Sequence, residues 1–128
     1  MTRLIDTFDY YETLAMRTAH YLTDGPEAML YCGCALAGKA GGVANELRKA
    51  VMEGGALSDA RRRVLIDQIG DVLWYLNSLA VEIDTSLEEC ATRNIEKLEQ
   101  EYREELDAIR RYECGQTGQD DPTCSRRP

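Results

Sequence analysis

The spacing of apolar residues along the chain is helical almost throughout. Apolar positions recur every three or four residues, and no segment shows the strict alternation of a half-buried strand. The pattern predicts an all-α fold with four helices. We expect helix 1 over about residues 6–21, helix 2 over 26–52, helix 3 from an N-cap at Ser58 to just before Asp84, and helix 4 from there to about Tyr112.

Turn and capping residues in the sequence predict where these helices begin and end. Pro26 suits the first turn of helix 2, and Glu53-Gly54-Gly55 ends that helix with the positive φ that glycine adopts cheaply. Thr85 with Glu88, and Ser86 with Glu89, both fit a capping box that opens helix 4.

The length of 128 residues is that of one domain with one sizeable core. We predict a helical domain over residues 1–112 and a disordered tail over 113–128, because ECGQTGQDDPTCSRRP has almost no apolar content. Helices 2, 3 and 4 are long for a monomer of this size. A bundle of such helices buries them incompletely, which predicts a homodimer or homotetramer.

The net charge of the chain argues against two classes of function. Fifteen basic and 23 acidic residues give a net charge of −8, which argues against general binding to nucleic acid or to anionic membranes. No apolar run is long enough to span a bilayer, and the N-terminus MTRLIDTFDYYE is acidic, so we expect a cytoplasmic protein. The five cysteines are interpreted as free thiols, and His20 has no partner at ligand spacing.

One stretch inside helix 2, GKAGG at residues 38–42, is unusual because it places three glycines and a lysine within a helix. The polar residues of this helix step by three or four and form a stripe: Ala35, Lys39, Gly42, Glu46 and Lys49. Helix 3 has a matching stripe of Gln68, Asp71 and Tyr75 within an otherwise apolar segment. If the two helices pack antiparallel, these stripes face each other.

The segments LAGKAGGVANELRKA and DQIGDVLWYLNSLAVEIDTSLEECATRNIEKL resemble the MazG-like, all-α nucleoside triphosphate pyrophosphohydrolases. The resemblance covers about residues 11–103 and implies an oligomeric four-helix bundle. Members of that family carry Glu-x-x-Glu on one helix and Glu-x-x-Asp on the next. Their four carboxylates hold magnesium ions that bridge a triphosphate and activate water for attack between the α and β phosphates.

This chain departs from that pattern at three of the four positions. The family glutamates fall on Lys39, Gly42 and Gln68, and only Asp71 retains its carboxylate. The resemblance therefore implies a nucleotide site without metal-dependent hydrolysis and without a cofactor. We expect the Lys39 ammonium to contact phosphate where a metal ion would lie, and the glycines to leave room for the ligand.

The resemblance also places Asn94 and Lys97, in RNIEKL, beside the nucleotide. An ordinary charged helix face with i, i+4 ion pairs explains the same residues equally well. The predicted ligand-binding set is Lys39, Gly42, Glu46, Lys49, Gln68, Asp71, Asn94 and Lys97. Trp74 and Tyr75 are candidates for stacking on a base, although a role in the core fits them better.

Three functions follow from these observations. The first is a non-catalytic MazG-like protein that binds or sequesters a nucleotide, for example a signalling one, a role that suits a small phage protein. The second is a Mg²⁺-dependent pyrophosphohydrolase with rearranged ligands, chiefly Glu46 and Asp71 with Glu82 as a further candidate. The third is a helical interaction module in which GKAGG is only a packing seam.

Overall fold

The computed structural model describes residue 5, residues 7–21 and residues 25–117. Among these residues there is no strand, so the predicted all-α class is confirmed. They fall into two compact units, Met1–Cys90 and Ala91–Pro128. The elements are α1 (Phe8–Ala15), a 3-10 turn (Met16–Thr18), α2 (Pro26–Met52), α3 (Asp59–Glu82) and α4 (Leu87–Thr117).

Helix α1 is shorter than the predicted span of 6–21, which was wrong at both ends. The Thr7 side chain accepts a hydrogen bond of 3.1 Å from the backbone N–H of Tyr10, so the helix begins after Thr7. At the other end, the Ala15 carbonyl accepts from the Thr18 hydroxyl at 2.7 Å and from the Trp74 indole at 3.3 Å. These bonds take the place of continued α-helical bonding, and the chain leaves through the 3-10 turn.

Helix α2 has the predicted limits, Pro26–Met52. Gly25 before it has a φ of 63°, and Gly54 and Gly55 after it have φ values of 108° and 83°. Left-handed backbone at these positions explains why glycine flanks both ends of the helix.

The caps of α3 and α4 follow the predicted chemistry. Ser58 accepts a hydrogen bond of 3.2 Å from the backbone N–H of Arg61, and Ser86 accepts one of 3.1 Å from that of Glu89. The Thr85 hydroxyl donates to Glu89 Oε2 at 2.9 Å, so Ser86 rather than Thr85 is the capping residue of α4.

Helix α4 continues to Thr117, past the predicted end near Tyr112. A loss of apolar residues does not itself end a helix, and the sequence has no proline after Tyr112 until Pro122. The rest of the predicted tail, residues 118–128, lies outside the described residues. The predicted division into a domain over 1–112 and a tail over 113–128 stays a prediction.

The first unit is built around α2 and α3, which pack side by side, with α1 against α3. Its fully or nearly fully buried residues are mostly small or polar, with two leucines among them: Ala15, Ala28, Cys32, Ala50, Leu65, Asn77, Ser78, Ala80 and Leu87. Within the described part of the chain, no helix is both long enough and apolar enough to cross a membrane.

Candidate functional site

The polar stripes of α2 and α3 face each other, as the sequence predicts for an antiparallel pair. Lys39 Nζ on α2 lies 2.8 Å from Asp71 Oδ2 on α3. The two side chains are 44% and 52% exposed, so solvent reaches this ion pair and its partners can exchange. Lys39 is thus paired with the one carboxylate among the four positions that the resemblance to the pyrophosphohydrolases singled out.

One helical turn further along, Gly42 lies opposite Gln68. A Cβ added to Gly42 would lie 3.8 Å from Gln68 Cδ, which is ordinary van der Waals distance. Gln68 Oε1 is buried without a hydrogen-bond partner among the described residues. The Gln68 amide oxygen thus lies between α2 and α3 and accepts no hydrogen bond from a described residue.

The other two glycines of GKAGG have no such neighbour. A Cβ added to Gly38 or Gly41 would meet no described residue within 4 Å, beyond the helix's own backbone. Tight packing against the described part of the chain therefore does not explain why glycine occupies these two positions.

A second charged group lies at the end of α2. Lys49 Nζ is 2.6 Å from Glu46 Oε1, and Arg61 Nη2 at the start of α3 is 2.8 Å from Glu53 Oε2. The hydrogen bond from Lys49 lowers the pKa of the Glu46 carboxyl against the opposing effect of burial, and Lys49 and Arg61 lower it further by charge. Glu46 and Lys49 thus bind each other, not Lys39 or Asp71.

An aromatic cluster lies beside the ion pair. Tyr31 on α2 and Tyr75 on α3 have ring centroids 6.2 Å apart, and Trp74 lies 4.9 Å from Tyr75 and 6.5 Å from Tyr21. The hydrogen bond with Tyr31, followed by burial, raises the pKa of Tyr75 to about 12. The Trp74 indole also donates to the Thr18 hydroxyl at 2.9 Å, so Trp74 fastens the end of α1 to α3.

Glu82, a candidate ligand in the enzymatic interpretation, belongs to a different cluster. The Tyr21 hydroxyl donates a hydrogen bond to Glu82 Oε1. Burial first, and this hydrogen bond second, raise the pKa of Tyr21 well above its usual value. The neighbouring Cys32 thiol is fully buried, and burial raises its pKa.

The acidic residues of the alternative metal site are thus held apart in three pairs: Glu46 with Lys49, Asp71 with Lys39, and Glu82 with Tyr21. Over residue 5, residues 7–21 and residues 25–117, no group of three His, Cys, Asp or Glu side chains could hold one metal ion.

Asn94 and Lys97 lie in the second unit, on α4. Lys97 Nζ is 3.5 Å from Glu101 Oε1 and Arg103 Nη2 is 3.6 Å from Glu99 Oε2, both at i, i+4. These contacts are those of a charged helix face. A role for Asn94 and Lys97 beside a ligand stays a prediction.

The sequence did not point to three notable residues. Tyr31 lies eight residues before Lys39, on the same stripe of α2, and that spacing is the signal that could have identified it. Asn77 is fully buried with neither side-chain polar atom hydrogen-bonded to a described residue, and Ser78 is fully buried and donates to the Trp74 carbonyl at 3.0 Å. Their place inside the apolar run LWYLNSLAV is the signal that could have indicated their burial.

A cavity of about 500 Å³ lies away from these stripes, between α1, α3 and the start of α4. It is lined by Ile5, Thr7, Phe8, Asp9, Tyr11, Leu73 and Glu88. Among the described residues its lining is mainly apolar and includes two carboxylates and no basic side chain, which does not favour a phosphate group. The α2–α3 stripes are the better candidate for an anionic ligand.

Comparison with known proteins finds a relative in a bacteriophage. No family model matches the chain, and no solved structure matches it. The Gene 37 protein of Mycobacterium phage L5 is 33% identical over 96 residues, a match that covers 71% of this chain and 84% of the relative. A phage relative agrees with the kind of source that the sequence suggested. The chain belongs to the family of this Gene 37 protein.

Proposed function

We propose that the protein is a MazG-like, homo-oligomeric nucleotide-binding protein that sequesters its ligand without metal-dependent hydrolysis. The observation that supports this most is the Lys39–Asp71 ion pair, which spans the two stripes at 2.8 Å. It places a fixed cation at the position where the resemblance to the pyrophosphohydrolases implies a carboxylate and its metal ion.

Electrostatics explains why this arrangement favours phosphate over magnesium. Mg²⁺ is bound by several oxygen ligands including carboxylates, and the single family carboxylate here is already paired with an ammonium group. An ammonium group attracts phosphate as a point charge. Because both partners of the ion pair are about half exposed, an incoming phosphate can compete with Asp71 for Lys39.

The surroundings support a ligand of nucleotide type. The Tyr31–Tyr75 aromatic pair lies on the same two stripes, with Tyr31 two helical turns from Lys39 and Tyr75 one turn from Asp71. Aromatic faces stack on nucleobases. The proposed site therefore has a cationic end for phosphate and an aromatic end for a base.

A thermal-shift screen tests the proposal with mono-, di-, tri- and cyclic nucleotides, each with Mg²⁺ and with EDTA. We expect stabilisation that persists in EDTA, and no release of pyrophosphate with Mg²⁺. Stabilisation and hydrolysis that both require metal would support the enzyme with rearranged ligands instead. No stabilisation by any nucleotide would support the interaction module.

Two substitutions test the role of the ion pair by calorimetric titration in EDTA. Lys39→Ala should weaken nucleotide binding by about tenfold or more, the value of a charge-assisted contact. The control is Arg48→Ala, which removes an exposed cation of the same helix that bonds to Asn45.

Asp71→Asn separates phosphate binding from metal binding. It removes the competitor for Lys39, so metal-free nucleotide binding should strengthen by about threefold, in line with the small value of an exposed ion pair. A site that binds nucleotide through a metal ion on Asp71 predicts the opposite, a loss of binding.

A further inference from the structure

Helix α2 carries an apolar stripe on the side opposite α3. Its members alternate in spacing between three and four residues, the heptad spacing with which one helix packs along another: Leu30, Gly33, Ala37, Ala40, Ala44, Leu47 and Val51. Leu30 lies nine residues before Lys39, which binds Asp71 on α3. Gly33 lies nine residues before Gly42, which lies against Gln68 on α3. Because nine residues make two and a half helical turns, the apolar stripe is on the far side of α2 from α3.

No member of this apolar stripe is buried. Leu30, Leu47 and Val51 are 68%, 46% and 71% exposed. The three alanines between them are also exposed, and the glycine is half-buried. A Cβ added to Gly33 would meet no described residue within 4 Å, beyond the helix's own backbone. The stripe is about 30 Å long, and a continuous exposed apolar surface of that length is typical of a contact with another protein.

The charged residues of α2 are divided between its two sides. Three of the five lie on the α3 side and are paired there: Lys39, Glu46 and Lys49. The other two, Glu27 and Arg48, lie along one edge of the apolar stripe, because they are 21 residues and so three heptads apart. Both are exposed, and Arg48 bonds to the uncharged groups of Asn45 and Met52. This edge is therefore acidic at its beginning and basic at its end.

The residues that follow α2 and begin α3 keep the second end basic. They contribute three arginines and two acids: Glu53, Asp59, Arg61, Arg62 and Arg63. Arg61 is paired with Glu53. The opposite end of α3 carries Glu82 and Asp84, which have the sign of Glu27. The neighbouring helix thus adds to the difference between the two ends.

The apolar stripe fits an antiparallel second copy of itself. About a two-fold axis between residues 37 and 40, Leu30 lies opposite the partner's Leu47, and Gly33 lies opposite the partner's Ala44. Large residues therefore meet at both ends of the contact. Small residues meet in its middle, where they let the two backbones approach closely.

The charges favour the same orientation. The antiparallel alignment brings Glu27 near the partner's Arg48, and the two-fold axis repeats this contact at the other end. A parallel pair would instead bring Glu27 near the partner's Glu27 and Arg48 near the partner's Arg48.

We propose that two copies of the chain associate through the apolar stripe of α2, antiparallel about a two-fold axis between residues 37 and 40. This inference rests on the proposed function for the homo-oligomeric state alone, and names its contact surface. The Lys39–Asp71 ion pair lies on the other side of α2, so association leaves the proposed ligand site accessible. The tests contain no nucleotide, so their failure is distinguishable from a failure of nucleotide binding.

Sedimentation equilibrium of the full chain tests the surface, and the parent should be a dimer at micromolar concentration. Ala40→Glu should weaken the dimer about 100-fold, because it places two carboxylates in the middle of an apolar contact. Glutamate is a good helix former, so the exposed position should keep its helix. The matched control is Ala60→Glu, which changes an exposed alanine in the first turn of α3 and should leave the dimer unchanged.

Charge reversal tests the orientation. Glu27→Arg and Arg48→Glu should each weaken the antiparallel dimer by about tenfold, because each replaces two attractive contacts with two repulsive ones. The double variant should restore the affinity of the parent, since the exchanged charges attract again. In a parallel dimer, like charges would still face each other after either reversal, and the double variant would restore nothing.

Circular dichroism of each variant checks that the helices are retained. A parent chain that is monomeric at micromolar concentration would overturn the proposal, as would a dimer that resists Ala40→Glu or that Ala60→Glu weakens equally. Single charge reversals that the double variant does not rescue would overturn the antiparallel alignment.

Discussion

The α2–α3 pair and the part of α4 beyond Cys90 use charged residues in different ways. Between α2 and α3, the ion pair joins residues far apart in sequence, Lys39 with Asp71. Along α4, three ion pairs are local, at i, i+3 or i, i+4: Lys97–Glu101, Arg103–Glu99 and Arg110–Asp107. A pair across two helices helps to fix their register, whereas a local pair supports only the helix that contains it. Similar charge patterns in the sequence therefore have different structural consequences.

The aromatic residues of the two regions also differ in how far they contact other parts of the chain. Trp74 on α3 bonds to the end of α1 and contacts two tyrosines. Tyr102 on α4 is 61% exposed. We therefore expect substitutions in the first region to change the free energy of unfolding much more than equivalent substitutions in the second.

The largest expected effect is that of Trp74→Ala. The substitution removes a large half-buried ring and its bonds to Thr18 and to the Ala15 carbonyl, and should lower the free energy of unfolding by about 3–5 kcal/mol. Urea unfolding followed by circular dichroism measures the loss.

The matched control for that substitution is Tyr102→Ala, which truncates an aromatic residue on α4. Because the Tyr102 ring is mostly exposed, its loss should change the free energy of unfolding by less than about 1 kcal/mol. Equal losses for the two variants would contradict the contrast between the regions.

The next largest change in the free energy of unfolding is expected for Tyr21→Phe, which removes the hydroxyl that donates to Glu82. Loss of this hydrogen bond leaves a half-buried carboxylate without its donor, and should cost about 1–3 kcal/mol of stability. Tyr10→Phe is the control, because Tyr10 lies on α1 with 43% of its surface exposed.

The raised pKa of Tyr21 also predicts a dependence on alkaline pH. The folded protein holds the neutral phenol, so this contribution is complete below the usual tyrosine pKa of about 10 and is lost as pH rises toward the higher folded value. The raised pKa of Tyr75, about 12, acts with the same sign. Melting temperatures at about pH 8 and about pH 11 should differ less in Tyr21→Phe than in the parent.

The sequence was sufficient to predict the helices because their signals are local. The caps at Ser58 and Ser86 and the glycines at 25, 54 and 55 act within one turn, and the limits of α2 were predicted correctly. The N-terminal end of α1 was predicted too early although Thr7 caps it locally, and the C-terminal end was predicted too late because the Ala15 carbonyl bonds to Trp74, 59 residues away. A contact at that separation leaves no mark in the pattern around Ala15.

The candidate site was also predictable only where its signals lie in the spacing within each helix. Facing stripes on two antiparallel helices followed from helical spacing, and the Lys39–Asp71 and Gly42–Gln68 contacts agree with them. The pairing of Glu82 with Tyr21 did not follow, because it depends on where the chain runs after α1. Ligand identity is not encoded in spacing at all, so nucleotide binding stays a proposal.

A smaller effect is expected when the open glycines of α2 are filled. Gly41→Ala should raise the free energy of unfolding by about 1 kcal/mol, because alanine favours the helix and its Cβ would meet no described residue within 4 Å. Gly54→Ala is the opposite control, since a φ of 108° strains any other residue. Gly41 lies two residues after Lys39 and so on another side of α2, and Gly41→Ala should therefore leave nucleotide binding at Lys39 unchanged. Weakened binding would show that the ligand also contacts this side of α2.

The smallest expected effect compares the two ion pairs directly by double-mutant cycles. We expect a coupling free energy of about 0.5–1 kcal/mol for Lys39 with Asp71 and about 0.3 kcal/mol for Lys97 with Glu101, since both pairs are substantially exposed. The first should be larger because its atoms are 2.8 Å apart rather than 3.5 Å and its side chains are less exposed. Both couplings should fall in high salt, which screens exposed charges. If the two couplings are equal, the Lys39–Asp71 contact contributes no more than a local helix pair, and the register of α2 on α3 is fixed by apolar and aromatic contacts alone.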